Sequence, residues 1–179
     1  MFEMLPNDKQ NSVRFVSDAP TEKIVGKTNQ ISATLELDPD NVAATAVGVF
    51  EVDLTTLKTG IGLRDRHMRE NHLETDEFPV AIFRLIRVIS TDKPALIPGE
   101  QVQVDAEGEL ILHGVAKTYR IPVTVRRAAV TESGGSELRI SAEWTLKLAD
   151  HKIARPELLF LKLAEEQQIS VDFTMAEKP

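Results

Sequence analysis

Residues 102–125, Val-Gln-Val-Asp-Ala-Glu-Gly-Glu-Leu-Ile-Leu-His-Gly-Val-Ala-Lys-Thr-Tyr-Arg-Ile-Pro-Val-Thr-Val, read as one long β-hairpin turned at His113-Gly114. Val102, Val104, Ala106, Gly108, Leu110 and Leu112 share one parity, while Gln103, Asp105, Glu107 and Glu109 share the other. A two-residue turn sets Leu112 against Val115, and then Leu110 against Lys117, Gly108 against Tyr119, Ala106 against Ile121, Val104 against Val123 and Val102 against Val125. The apolar residues of the second strand then fall on the apolar face of the first. A slip of one residue would turn them all outward, so the register is self-consistent. On the polar face Glu107 is expected opposite Arg120 as an opposite-charge pair. Two strands of about a dozen residues, twice the usual length, suit a coiled barrel with an apolar interior. Gly108 falls mid-strand, where a bend helps closure.

Period-two alternation recurs outward from this hairpin. Val13 and Phe15 begin it, and Lys23 to Leu37 continue it, with Gly26 and Thr28-Asn29 as expected bulge or turn points. Asp38-Pro39-Asp40-Asn41 is a turn signal, and Phe50, Val52 and Leu54 alternate with acidic residues after it. Val80 to Ile89 is apolar on both parities, which leaves its facing unassigned. Thr91 to Gly99 reads as a loop and Glu132 to Ser136 as a second turn. Leu138 to Leu148 and Ile169 to Met175 supply two more alternating strands. Residues 61–73 differ and predict a short helical insertion. Asp65–Arg69 and Arg66–Glu70 stand four apart on an expected exposed face, with Leu63, His67 and Met68 as a narrow inward stripe. A weaker turn or helix is expected in Asp150 to Glu157. The reading is all-β: an eight-stranded antiparallel barrel over residues 12–176 with a tail over 1–11, a two-sheet sandwich being the structural alternative.

The chain has 179 residues, enough for one domain with a sizeable core, with 42% hydrophobic and 27% charged residues. A net charge of −7 and 5% aromatic content argue against a general nucleic-acid or anionic-membrane binder. The absence of cysteine excludes disulfides, thiolate metal sites and a cysteine nucleophile. No apolar run is long enough to suggest a transmembrane helix. Met1 to Gln10 lacks the pattern of a signal peptide, consistent with an intracellular protein or a processed exported one.

There is no nucleophile elbow, phosphate loop or dinucleotide fingerprint, so the chain is not read as an enzyme. A lipid-directed hydrolase or isomerase would need a serine, histidine and acid brought together by the fold. The histidines are His67, His72, His113 and His151, and the spacing of the first two puts them on different helix faces. No metal site and no cofactor are expected. An apolar ligand fits best: an aliphatic inner face suits a hydrocarbon chain, and Ala106 and Gly108 leave room opposite Ile121 and Tyr119. A packed barrel acting as a stress-related or protein-interaction module is the alternative. Lys117 is the polar exception on the apolar face. It either snorkels to solvent or stands as a cation at a pocket mouth, and Trp144 is read as core or wall.

The run Asp53-Leu54 … Leu57 … Thr59-Gly60-Ile61 … Arg64-Asp65-Arg66-His67-Met68 … Phe78-Pro79 … Phe83, with Glu107 to Lys117 around His113-Gly114, resembles the YceI-like family of polyisoprenoid-binding, lipocalin-like proteins. The resemblance covers roughly Val13 to Met175. It implies a non-catalytic barrel that binds, transports or sequesters an isoprenoid quinone or prenyl phosphate, in the bacterial periplasm or outside the cell. Self-association into a homodimer is allowed. Arg64, Asp65, His67, His113 and Lys117 match recurrent polar positions of the family. Arg64 and Asp65 are expected to fix the helical segment, and His113-Gly114 to make the turn. Many members carry an aspartate-rich first strand and an early histidine near where this chain has Ser12-Val13-Arg14-Phe15. The expected ligand-facing residues are Phe50, Val52, Ile61, Leu63, Met68 and Phe83 from the first half. Ala106, Gly108, Leu110, Lys117, Tyr119 and Ile121 come from the hairpin, and Trp144, Leu146 and Phe173 from the last strands.

Overall fold

A computed structural model describes residues 1–4, 10–128, 136–158 and 161–178. Its strands are β1 (Phe2–Met4), β2 (Ser12–Asp18), β3 (Lys23–Thr28), β4 (Ile31–Glu36), β5 (Val47–Asp53), β6 (Val80–Thr91), β7 (Gln101–Leu112), β8 (Val115–Arg127), β9 (Glu137–Lys147), β10 (Glu157–Leu158), β11 (Leu161–Lys162) and β12 (Glu166–Glu177). All but β10 and β11, which pair with each other, join one antiparallel sheet. The sheet closes where β12 meets β1. β1 and β2 both lie along β12, and they face β4 and β3 in turn. Two of the barrel's positions are therefore broken strands, and the ring is an eight-stranded up-and-down barrel. β8 pairs with β9 only from Val123 to Arg127, so among the described residues its stretch from Val115 to Pro122 has no ladder partner on that side.

The expected hairpin forms with the expected register from Gln101↔Arg126 to Leu112↔Val115. His113 and Gly114 both take positive φ, 52° and 69°, as a two-residue turn matched to strand twist requires. One charge pair differs: Arg120 lies opposite Glu107 but bonds Asp105, Nε to Oδ2 at 2.7 Å, while Glu107 takes Arg87 at 2.9 Å. A long guanidinium stem reaches a diagonal partner as readily as a direct one.

Two further expectations shift. Gly26 is no break; it lies inside β3 opposite Phe15, whose ring covers it, while the strand does interrupt beside the other expected point, at Asn29–Gln30. The segment 1–11, expected as a tail, contributes β1. Phe2 is 1% exposed and belongs to the core, and β1 joins β4 to β12 by pairing with both. The turn expected from Glu132 to Ser136 lies, but for Ser136, outside the described residues.

One end of the barrel carries the β4–β5, β6–β7 and β8–β9 connections and both termini. Val42 and Leu96 cross it, tied by Val42 N–H to Pro94 O at 2.9 Å and Leu96 N–H to Pro39 O at 2.7 Å. Both are buried against Phe2, Val102, Leu138 and Met175, and they close that end. The opposite end carries the β2–β3 turn, the helical insertion between β5 and β6, the His113-Gly114 turn and residues 148–158 and 161–165.

Candidate functional site

The inward parity of the strands leaves the barrel partly hollow. A cavity of about 680 Å³ runs through it, lined by aliphatic side chains from nearly every strand. That volume lies within the range of small-molecule sites. Of the residues expected to face a ligand, Phe50, Val52, Ile61, Leu63, Met68, Phe83, Ala106, Leu110, Ile121, Trp144, Leu146 and Phe173 line it. Phe50 packs on Phe83 and Phe173, with centroids 6.2 and 5.6 Å apart, so the three rings form one aromatic wall. Trp144, the single tryptophan, also lines the cavity, and its Nε1 is buried without a hydrogen-bond partner among the described residues.

Gly108, Lys117 and Tyr119 are not in the lining. The space beside Gly108 is taken by Phe83, so the glycine seats an aromatic ring and frees no room. Tyr119 instead stacks on His151 at 5.9 Å and shares a 2.9 Å hydrogen bond with its Nε2. His151 is fully buried. Its Nδ1 lies 3.1 Å from Val115 O; a carbonyl only accepts, so Nδ1 carries the proton and Nε2 accepts from the Tyr119 hydroxyl. Burial pushes the His151 pKa below 6.5 and, helped by Asp150, drives the Tyr119 hydroxyl up to about 12. Lys117 follows Tyr119 to this side. Its ammonium pairs with Asp150 and lies 5.6 Å from the Tyr119 ring centroid. That hydrogen bond holds the Asp150 carboxyl below its ordinary 3.8.

The cavity opens between the β2–β3 turn, the helical insertion and Ile153, Pro156, Glu157 and Leu163. The insertion is an α-helix (α1, Gly62–His67) that widens into a π-helical turn over Met68–His72. Its anchor is Asp65, 6% exposed rather than on the exposed face expected for it. Burial alone would raise its pKa. The Thr59 hydroxyl and amide, at 2.6 and 2.7 Å, together with Arg69 and Arg64, outweigh burial and hold the carboxyl below 3.8. Arg69 donates to Leu57 O at 3.1 Å. No ion pair among the described residues joins Arg66 to Glu70. Arg64 Nε donates to Thr59 Oγ1 at 2.8 Å, and Nη1 meets Glu22 across the mouth at 3.3 Å. Leu63, expected to point inward, stands 67% exposed at the rim with Ile61 at 53%, since the helix is too short to turn its first residues under the barrel.

His113 does more than make the turn. Its side chain is 10% exposed, bonded to Glu74 at 2.6 Å through Nε2 and to His151 O at 3.1 Å through Nδ1, with Phe78 packed on its ring at 4.7 Å. The turn is thereby tied to residues on both sides of the mouth. Spacing along the chain gives no sign of these contacts, because each partner lies far away in sequence.

Comparison with known proteins places this geometry in context. The profile of the YceI-like domain matches residues 6–175. A UPF0312 protein of Vibrio vulnificus is 30% identical over 131 residues, 73% of this chain, and one of Vibrio cholerae is 27% identical over the same length. The matched stretch spans 65% of the length of these relatives. Among solved structures, a polyisoprenoid binding domain from Saccharophagus degradans superposes with a TM-score of 0.74 at 20% identity, covering 99% of this chain and 98% of that one. Burkholderia cenocepacia BcnA gives 0.73 at 18% identity, covering 94% and 96%. At such identities the likeness is one of fold.

Proposed function

The chain belongs to the YceI-like domain family, and on that premise we propose that it binds a long-chain isoprenoid-type lipid in its barrel, to carry or sequester it without chemical change. The cavity carries this reading. Its wall is built almost wholly of aliphatic and phenyl groups, and each methylene moved from water onto such a wall contributes about 0.8 kcal/mol. A branched polyene chain matches a lining of Leu, Ile and Val side chains better than a stack of aromatic platforms would. The polyisoprenoid binding of the Saccharophagus degradans domain supports the same ligand class. A quinone or a prenyl phosphate is the guest implied, and residence in the periplasm or outside the cell belongs to the same proposal. The non-catalytic reading is supported by the cavity's own polar groups. The Ser17 hydroxyl accepts from the Gln167 amide at 3.0 Å rather than facing a histidine base.

The rival of a packed barrel working through its outer surface meets the cavity directly, since an interior filled by its own side chains has no such space. Organic extraction of the purified protein followed by mass spectrometry tests the lipid reading, with isoprenoid recovered in near-stoichiometric amount as the expected result. Recovery of no lipid, joined to no binding of added quinone or prenyl phosphate, overturns it.

A further inference from the structure

We propose that the mouth of this cavity admits uncharged head groups and excludes phosphates, with Glu22 as the residue that sets the preference. The inference rests on the lipid reading above and narrows the head-group chemistry.

Two cations, Arg14 and Arg64, and two carboxylates, Glu22 and Glu157, line the cavity beside the imidazoles of His67 and His72, so the full charges balance. Arg14 is exposed on β2. Arg64 is the cation nearest the opening helix, and its guanidinium is already committed. Nε donates to Thr59 Oγ1 at 2.8 Å, Nη2 to Thr59 O at 3.3 Å, and Nη1 to Glu22 Oε1 at 3.3 Å. Glu22 therefore neutralises the guanidinium that an entering anion would seek. Lys117, the other candidate cation, is paired with Asp150 outside the lining. Carboxylates also outnumber cations along the segments that frame this end, residues 18–23, 53–79, 148–158 and 161–166. A phosphate ester carries a charge of about −1.5 to −2 and needs cations or several donors to leave water. It would meet a field of its own sign here.

The polar groups set into the wall are of another kind. Ser17 is 1% exposed and Gln167 is 6% exposed; the Gln167 amide donates to the Ser17 hydroxyl at 3.0 Å and to Ala164 O at 2.8 Å. Both line the cavity and neither carries charge. The Ser17 hydroxyl keeps a proton of its own to donate. A carbonyl or hydroxyl head group asks for one such partner, and a diphosphate asks for far more.

Farnesol and farnesyl diphosphate share one tail and differ only in the head, so they isolate the effect. Each is titrated at pH 8 against the intact protein, with the fluorescence of Trp144 as the readout. Farnesol is expected to bind on the order of tenfold tighter than the diphosphate. Glu22→Gln is expected to raise diphosphate affinity by about tenfold and leave farnesol unchanged. Glu51→Gln, on an exposed outer position of β5, controls for net charge and is expected to alter neither. Diphosphate binding as tight as farnesol, or an unchanged ratio in Glu22→Gln, overturns the proposal while leaving the lipid reading standing. Failure of both ligands to bind overturns the lipid reading, and this proposal with it.

Discussion

Phe83 lies across the face of Gly108, so close that a Cβ added to the glycine would stand 2.1 Å from the ring's Cζ. Gly108 pairs with Leu85 and Phe83 pairs with Leu110, so the contact is diagonal across β6 and β7. Gly108→Ala must push the ring toward Phe50, into the cavity. The expected cost is about 1–3 kcal/mol of stability, read from urea unfolding, together with weaker lipid uptake. Combining it with Phe83→Leu is expected to recover most of the loss, since the two residues share one contact. Additive losses in the double variant would show that the seat is unimportant.

Lys117→Met separates two roles that the sequence alone leaves open. Because the ammonium pairs with the half-exposed Asp150 away from the cavity, the variant is expected to lose no more than about 1 kcal/mol. It is also expected to bind neutral and anionic isoprenoids as the parent does. A selective loss of anionic ligand in a titration would return Lys117 to the head group.

Acid sensitivity is expected to begin with His151. Burial holds its folded pKa below the ordinary 6.5, so as pH drops under that value the unfolded chain takes up a proton that the folded chain refuses. Stability therefore declines from about pH 6.5 downward and is flat above it, as far as this group is concerned. Asp65 and Asp150, both held below 3.8 by their partners, add their own losses only in the more acidic range. Stability measured by denaturant at pH 7.5, 6.5 and 5.5 checks the first window. His151→Leu is expected to be less stable by about 1–3 kcal/mol, through the orphaned Tyr119 hydroxyl, and to show a shallower slope there. An unchanged slope would assign the acid response to other groups.

The cavity can be filled from Ala142. Its neighbours across the sheet are Val123 on β8 and Val171 on β12, and all three line the interior. Ala142→Phe is expected to retain the fold and to lower the stoichiometry of bound lipid, as seen by extraction and by Trp144 fluorescence. Undiminished lipid would place the guest elsewhere.

The hairpin was fully legible in the chain because its two strands keep strict parity from the turn outward, and a period of two leaves only one register that buries Leu, Ile and Val together. β6 was not legible for a definite reason. Register shifts between Leu85 and Arg87 and between Val88 and Ser90 break its parity, so that Leu85 and Val88 face the cavity while Ile86 and Ile89 are exposed. An extra residue in a strand turns every later side chain over, and composition gives no warning of it. Lys117 and Tyr119 were misplaced for the opposite reason: their parity was right. At the barrel's end, however, the Leu148–His151 turn offers a buried histidine and a carboxylate that draw both side chains aside. Asp65 looked like one half of a surface pair because a spacing of four suggests it, and the contact with Thr59 that buries it precedes the helix.

The crossing of Val42 and Leu96 over one end of the barrel turns a tube into a sheath with a stop. On the lipid reading, a guest would enter tail first and keep its head group at the rim, so whatever accepts it would approach that same rim. The depth from rim to stop then acts as a ruler. Isoprenoids short enough to fit would then be wholly hidden, and longer ones would leave their surplus units in contact with water beside Ile61 and Leu63, both exposed at that rim.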